Sequence, residues 1–342
     1  MMLIDGIYVP LTAPFYRDGA SYWKKLEHNV ARYSLTPAAG LVALTGEGEA
    51  LSDEEMRETL KSVSESAAPE KVLVARIAKE SVRGALWLAE EAAKAGFDAV
   101  LLRVPRGLKA AELRLFLAAV ADGSELPVLV SSAAQGGLPV EAIAEFAQHA
   151  NALGLFDAGL TLELYHALTA ATATVKREVT VTTVFAPVTR RMKAPASEGA
   201  ATFVSAESLG GGAAIAVAPP KPAIKTRTKM VGFQVMAAGT AVGLVDLWEA
   251  GVAGAMPALA ASAPQGCYEA YAAFKDGDPE LAREKEQRLT EADALLHRLG
   301  IAGIKYGCDL NGYFGGVPRL PRVPLDGEQR VQVERVLQGL RN

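Results

Sequence analysis

The feature that most constrains the fold is a repeated alternation of short apolar runs with longer segments of helical period. Such alternation is typical of strand–helix units that build a parallel sheet. The predicted strands lie at 7–12, 40–43, 72–77, 99–104, 127–131, 153–157, 233–237 and 254–256. Because most of these eight runs are each followed by a helical segment, they favour a closed TIM (β/α)8 barrel over an open sheet.

The starts and ends of the predicted helices agree with this alternation. Ser52 and Glu55 predict a capping box, which satisfies two otherwise unpaired amides, ahead of the apolar run 56–63. In the stretch 87–95, apolar residues recur on one helix face, which predicts a helix packed on the barrel wall. Gly96 then stands where a helix typically ends.

The chain of 342 residues is longer than a typical single barrel, which has roughly 250 residues. The residues after the eighth predicted strand are too many for one closing helix, and their helical patterns fall at 279–299, 301–313 and 326–340. We therefore expect a barrel at 1–264 and a C-terminal helical appendage at 265–342.

The longest interruption of the barrel pattern lies between the sixth and seventh predicted strands. A connection there normally holds a helix and two short loops. After a helix at 161–176, β-branched or alternating runs at 179–185, 200–206 and 213–218 are separated by proline and glycine. They predict a β-rich insertion at about 178–231.

Charge and composition exclude several classes of function. The formal net charge of −4 gives no electrostatic basis for binding nucleic acid or an anionic membrane. No apolar run approaches the ~20 residues that span a bilayer, and the N-terminal residues lack a signal-peptide pattern. Two cysteines, Cys267 and Cys308, do not make a disulfide framework, so we expect a cytoplasmic protein. No spacing indicates a metal or another cofactor.

Several motifs resemble one known family. They occupy residues 6–15 (GIYVPLTAPF), 40–47 (GLVALTGE), 51–55 (LSDEE), 90–100, 235–240 and 251–255. Together they are similar to the dihydrodipicolinate synthase / N-acetylneuraminate lyase family, over the whole chain except the insertion. The resemblance implies a TIM barrel with C-terminal helices and a homo-oligomer, either a dimer or a tetramer.

The resemblance also identifies functional positions, and most of them are changed. The family uses a strand-six lysine that forms an imine with pyruvate or a related 2-oxo acid. A strand-five tyrosine, a carboxylate-binding arginine, a relay threonine and an aromatic pair assist it. The matching residues here are Phe156, Ser131, Gly136, Leu44 and the pair Arg106-Gly107, with only Thr45 of the relay kept. We therefore predict that Schiff-base aldolase activity is absent.

Lysines of the insertion are the candidates for a replacement amine. These lysines are Lys193, Lys221, Lys225 and Lys229. They could fold over the barrel mouth, but an exposed lysine with a pKa near ~10.4 is protonated and a poor nucleophile. The expected arrangement is a solvated loop.

Reacting groups of such barrels lie at the C-terminal ends of strands and in the loops that follow. The polar residues placed there are Thr12, Thr45, Glu47, Arg76, Arg103, Arg106, Ser131, Ser132, Asp157 and Gln234. Arg76, Arg103 and Arg106 could bind a carboxylate or phosphate through bidentate hydrogen bonds. Alternatively, they pair with Glu47, Glu80 or Asp157, or point outward between helices.

The same ends offer few catalytic groups. Glu47 and Asp157 are the carboxylates that could serve as a general base, and Thr45 is a third candidate. Ser131 and Ser132 are candidate ligand-binding residues, but no histidine is placed to activate either as a nucleophile. Phe156 either packs the barrel centre or forms an apolar floor for a ligand.

Two functions follow from these observations. The first is a divergent lyase-family protein that binds a small anionic, 2-oxo acid-like molecule at the barrel mouth and works without an imine. The second is a catalytically inactive ligand-binding or oligomeric homologue. Whether the protein is an enzyme stays open at this point.

Overall fold

The computed structural model describes residues 2–133, 137–183 and 225–340. The strands of these residues are β1 (Gly6–Pro10), β2 (Gly40–Ala43), β3 (Val72–Ile77), β4 (Ala99–Arg103), β5 (Val128–Ser132), β6 (Ala152–Asp157), β7 (Arg177–Thr183), β8 (Lys225–Val231), β9 (Gln234–Gly239) and β10 (Gly254–Pro257). The helices are α1 (Trp23–Ser34), α2 (Asp53–Ser66), α3 (Val82–Lys94), α4 (Ala110–Gly123), α5 (Val140–Ala147), α6 (Leu162–Ala171), α7 (Leu244–Ala250), α8 (Pro264–Lys275), α9 (Pro279–Leu310) and α10 (Gly327–Leu337).

All strands except β7 and β8 close into one parallel barrel, in the order β1-β10-β9-β6-β5-β4-β3-β2. The predicted TIM barrel is therefore confirmed, and each predicted strand lies within two residues of an observed one. The strands are short and almost entirely apolar because both of their faces are buried. One face fills the barrel, and the other packs against the surrounding helices.

The barrel interior is a packed apolar core. Tyr8, Val42, Leu129, Phe156 and Met236 each have no exposed surface and belong to one interior cluster. Among the described residues, this layer of side chains therefore leaves no channel through the barrel. Any ligand of the mouth must bind above this layer.

The predicted helix ends are confirmed at two places. Ser52 and Glu55 form the capping box of α2, with the Ser52 hydroxyl accepting from the Glu55 amide at 3.2 Å. Gly96, two residues after α3, has a φ of 81°, a conformation that suits glycine.

The C-terminal helices pack on the outside of the barrel. Helix α9 bends at Gly300, whose φ of 61° and ψ of −148° are not helical, which agrees with the predicted break between 299 and 301. Glu286 of α9 accepts hydrogen bonds from the amides of Leu244 and Val245 at the start of α7. The domain boundary between 264 and 265 stays a prediction. No helix of the described residues has the length and apolar character to cross a membrane.

Strands β7 and β8 form an antiparallel ribbon, hereafter the ribbon, in which Arg177 pairs with Val231. The ribbon begins at the N-terminal end of the barrel. There the Arg177 guanidinium donates to the carbonyls of Ala147 and His149, just before β6, at 2.6 and 2.7 Å. The insertion therefore starts opposite the mouth, and the idea that it folds over the mouth has no support in the described residues. The predicted runs at 200–206 and 213–218, with Lys193 and Lys221, lie outside them.

Candidate functional site

A cavity of about 1120 Å³ lies over the C-terminal ends of β3, β4 and β5, and we call it the mouth cavity. Five of the predicted ligand-binding residues line it, namely Arg76, Arg103, Arg106, Ser131 and Ser132. The structure thus brings these five residues together at one cavity, and their role in binding a ligand stays a prediction. Phe156, the sixth, is not among the lining residues.

Strand alternation explains why two of the arginines face the mouth. Val74 and Leu101 belong to the barrel interior and have no exposed surface. Arg76 and Arg103 lie two residues further along the same strands, so their side chains point to the same side. Because both strands end there, the guanidiniums extend past the apolar layer and into the mouth cavity.

Two carboxylates hold these guanidiniums. Arg76 Nη2 lies 2.9 Å from Glu49 Oε1, and Arg103 Nε lies 3.5 Å from the same oxygen. Arg103 Nη2 also lies 2.6 Å from Glu80 Oε1. The arginine side chains are only 18% and 19% exposed, whereas Glu49 and Glu80 are 49% and 70% exposed. The cations therefore belong to the cavity wall, and the carboxylates approach them from the solvent side.

The pairing with Glu80 was one of the predicted alternatives, whereas Glu49 was missed. Glu49 lies in the short turn that follows β2, and Glu80 in the loop between β3 and α3. Loop residues are not ordered by strand alternation. The sequence signal that could have identified both glutamates is that their loops follow barrel strands, where functional residues of such barrels lie.

The remainder of the mouth cavity is largely apolar. Arg106 is exposed at its rim. The larger apolar lining residues are Val104, Pro105, Leu108, Leu113, Leu138 and Pro139. The arrangement can therefore hold a charged group at the arginines and an uncharged group beside them.

The two serines have different environments. Ser132 is 3% exposed, and its hydroxyl accepts a hydrogen bond from the Leu138 amide at 3.2 Å. Ser131 is partly exposed and pairs in register with Arg103 on one side and Phe156 on the other. Gly136, which matches the family's carboxylate-binding arginine, lies outside the described residues.

Phe156 lies beneath the mouth rather than in it. Its ring has no exposed surface and meets the ring of Tyr8 edge-on, with centroids 5.8 Å apart. This position corresponds to packing of the barrel centre, the first of the two predicted alternatives.

Thr45 and Glu47, two of the predicted catalytic residues, do not line the mouth cavity. The Thr45 hydroxyl donates to the Leu11 carbonyl at 2.7 Å. Glu47 is 2% exposed, accepts from the Arg319 amide at 2.6 Å and lies 2.6 Å from Lys305 Nζ. Both side chains therefore have structural partners.

Lys305 is a buried lysine that the sequence reasoning missed. Its side chain has no exposed surface, and Nζ donates to the Val317 carbonyl at 2.8 Å. The ammonium also lies 4.4 Å from the centroid of the Phe15 ring. Burial lowers the pKa of Lys305, and the charge of Glu47 opposes that shift. A lysine directly after the apolar stretch 301–304 was the available signal.

Asp157, the third predicted catalytic residue, is also separate from the arginines. Its carboxylate is 3% exposed and accepts from the Gly159 amide at 2.8 Å. It lines a different cavity of about 360 Å³ that it shares with Thr240.

The prediction that Gln234 lies at the mouth is wrong. Gln234 is the first residue of β9, so it lies at the opposite end of the barrel. Its side chain accepts from the Ile4 amide at 2.7 Å and donates to the Met2 carbonyl at 3.1 Å. It thereby fixes the N-terminal segment beneath the barrel.

Comparisons with known proteins agree with this architecture. A model of the dihydrodipicolinate synthetase family matches residues 3–208 and 222–340. Over 347 residues, the chain is 26% identical to a 4-hydroxy-tetrahydrodipicolinate synthase of Acidiphilium cryptum, with 99% of each chain covered. It is 25% identical over 345 residues to an L-threo-3-deoxy-hexylosonate aldolase of Aspergillus niger, covering 96% of this chain and 92% of that protein. The crystal structure of a Bacillus anthracis dihydrodipicolinate synthase superposes with a TM-score of 0.77 at 18% identity, and both chains are fully covered (100%).

Proposed function

Since the chain belongs to the dihydrodipicolinate synthetase family, we propose that it binds a small anionic, 2-oxo acid-like molecule at the mouth without forming a lysine imine. One observation carries the proposal. Arg76, Arg103 and Arg106 line a single mouth cavity, while the strand-six position that the family resemblance assigns to the imine lysine holds a buried phenylalanine.

The arginines suit a carboxylate ligand. A guanidinium presents parallel N–H donors that match the two oxygens of a carboxylate. In the structure, Glu49 accepts a hydrogen bond from Arg76 and Glu80 accepts one from Arg103. Glu80 is 70% exposed and pairs with Arg103 alone, so it can turn into water when a ligand carboxylate takes its place, while Glu49 stays between Arg76 and Arg103. Binding would then exchange one ion pair for another in a partly dehydrated cavity.

Imine formation lacks an amine at this site. The Phe156 side chain has no nitrogen, and no lysine is among the described residues that line the mouth cavity. The buried Lys305 and Lys71 donate to backbone carbonyls elsewhere. Burial lowers the pKa of both amines, but neither contacts the mouth cavity.

Acid–base chemistry is the reaction class that the mouth residues can support. A carboxylate base can remove a proton from the carbon next to a ligand's carbonyl group, and a nearby cation then stabilises the enolate that forms. Glu49 lies between two guanidiniums and meets this requirement better than Glu47 or Asp157. We therefore assign Glu49, with Glu80 as its neighbour, the role of candidate base.

A second candidate function is an inactive ligand-binding homologue. It is favoured by the loss of the amine and by Ser131 at the position that the resemblance assigns to the proton-shuttle tyrosine. Binding of the anion would be the same in both cases. Only turnover distinguishes them.

Two measurements test binding and the imine. The protein is incubated with pyruvate and with longer 2-oxo acids, treated with borohydride and weighed intact, and we expect no covalent adduct. In parallel, ligand at ten times its Kd should stabilise the fold by about 1.4 kcal/mol, which thermal unfolding detects. Arg76→Ala and Arg103→Ala should abolish the stabilisation, and the exposed Arg83→Ala on α3 should keep it.

The outcomes separate the alternatives. A borohydride adduct would overturn the loss of imine chemistry, and stabilisation that survives both arginine variants would overturn the mouth as the binding site. Exchange of ligand C–H protons in D2O, followed by NMR and lost in Glu49→Gln, would support the enzyme. Binding without exchange would support the inactive homologue.

A further inference from the structure

A second cavity lies at the opposite end of the barrel from the mouth, and we call it the basal cavity. Its volume is about 870 Å³, and it is bounded by α6, the ribbon strand β8, the start of β9, α7 and α8. None of its lining residues belongs to the mouth cavity. It is therefore a separate candidate binding site.

The wall of the basal cavity is aromatic. Trp248 of α7 is 3% exposed and lies against the rings of Tyr271 and Phe274, with centroids 5.2 and 5.8 Å away. Phe233 and Val252 extend the same apolar surface. An aromatic or branched apolar group is the ligand portion that such a wall accommodates.

The same wall carries an unsatisfied polar group. The indole Nε1–H of Trp248 is buried and has no hydrogen-bond partner among the residues that the structure describes. The Tyr165 hydroxyl also lies at this wall, since a Cβ added at Gly251 would meet it at 3.0 Å.

The charges around the basal cavity are mostly positive. Lys176, Lys229 and Lys275 line it, and Asp5 is the one carboxylate among its described lining residues. Asp5 already accepts a hydrogen bond from the Tyr271 hydroxyl and lies 3.5 Å from Lys275 Nζ. Neither Lys176 nor Lys229 forms an ion pair with a carboxylate in the described part of the chain. Two ammonium groups are therefore available to an anion.

From this combination we propose that the basal cavity binds a small aromatic carboxylate. The aromatic group lies against Trp248 and Phe233, and the carboxylate faces Lys176 and Lys229. A neutral molecule of the same shape lacks the ionic contacts and should bind more weakly. The proposal is independent of the function proposed for the mouth.

The test uses the full-length protein with 3-phenylpropionate and its neutral analogue 3-phenylpropionamide. Binding is measured by calorimetry and by the change in tryptophan fluorescence, to which Trp248 contributes. We expect saturable binding of the acid and at least five-fold weaker binding of the amide. The double variant Lys176→Gln/Lys229→Gln should weaken binding of the acid at least five-fold.

Two controls locate the site. The double variant Lys24→Gln/Lys61→Gln removes two exposed lysines of α1 and α2 and should leave binding unchanged. Because the mouth also takes small carboxylates, the comparison is repeated in an Arg76→Ala background, where the five-fold loss in the Lys176→Gln/Lys229→Gln variant should persist. Equal binding of acid and amide, equal binding by the Lys176/Lys229 variant, or no saturation at 10 mM acid would each overturn the proposal.

Discussion

The buried ion pair between Glu47 and Lys305 gives the sharpest prediction about stability. The two side chains are 1% and 0% exposed, and their charged atoms lie 2.6 Å apart. At an effective dielectric constant of about 20, the attraction at this distance is about 6 kcal/mol. Desolvation of both ions offsets much of it, so the net contribution of the pair is smaller.

Removal of one partner is more costly than removal of both. Glu47→Gln leaves the Lys305 ammonium buried with the Val317 carbonyl as a neutral acceptor. We expect this variant to lose about 3–5 kcal/mol of unfolding free energy. Lys305→Met, which leaves the carboxylate with the Arg319 amide, should lose about 3 kcal/mol. The double variant should lose at least 2 kcal/mol less than the sum of the single variants.

Equilibrium urea unfolding at pH 7, followed by circular dichroism, measures all four proteins of this cycle. The exposed pair Glu90–Lys94, at 2.7 Å on α3, is the matched control, and its coupling should be too small to measure. A loss below 1 kcal/mol in Glu47→Gln, or additive single variants, would refute the reasoning that the pair is dehydrated and mutually compensating.

Three further predictions concern stability. The Arg319 hydrogen bond lowers the pKa of Glu55 from 4.5 to about 2. After solvent screening, this interaction should stabilise the fold by about 1–2 kcal/mol above pH 4.5, and the stabilisation should be lost as the pH falls towards 2. An Arg319→Gln variant whose acid unfolding is unchanged would contradict this prediction. Phe156→Ala should cost about 3–5 kcal/mol in urea unfolding without weakening anion binding at the mouth, and a cost below 1 kcal/mol would show a loosely packed barrel. Gly154→Ala puts a Cβ 2.2 Å from the Gln234 carbonyl oxygen, so thermal unfolding should reveal a loss of about 2 kcal/mol or more, and a neutral result would disprove the close approach.

The barrel was predictable because its signal is local. Each strand is a short apolar run bounded by residues that stop it, and the capping box of Ser52 and Glu55 needs only four consecutive residues. The inward direction of Arg76 and Arg103 also follows from alternation along one strand. Arg76 and Arg103 each follow an interior residue, Val74 or Leu101, by two positions, and this spacing favours side chains that face the mouth over ones that point outward between helices.

The partners of Glu47 were not predictable because they come from the far end of the chain. Its position after β2 suggested a mouth residue, but Leu44 takes a φ of 60° and the loop turns towards the C-terminal segment. There Lys305 and Arg319 meet the carboxylate. A single sequence carries no pattern for a contact over such a separation.

The placement of the insertion could have been derived from topology alone. It follows a helix, and in a parallel barrel each helix returns the chain to the N-terminal ends of the strands. Its lysine-rich composition, which predicts a solvated loop, contains no such positional information.

The ribbon has a consequence for how this protein can change. Its strands pair in register from Arg177 and Val231 to Thr183 and Lys225, so the chain departs from the barrel and rejoins it at adjacent points. A two-residue Asn-Gly turn could join these strands and excise the intervening polypeptide, and an unrelated module could be grafted there equally well. Natural or engineered changes can thus alter the segment beyond the ribbon, at the N-terminal end of the barrel, without changing the residues of the mouth.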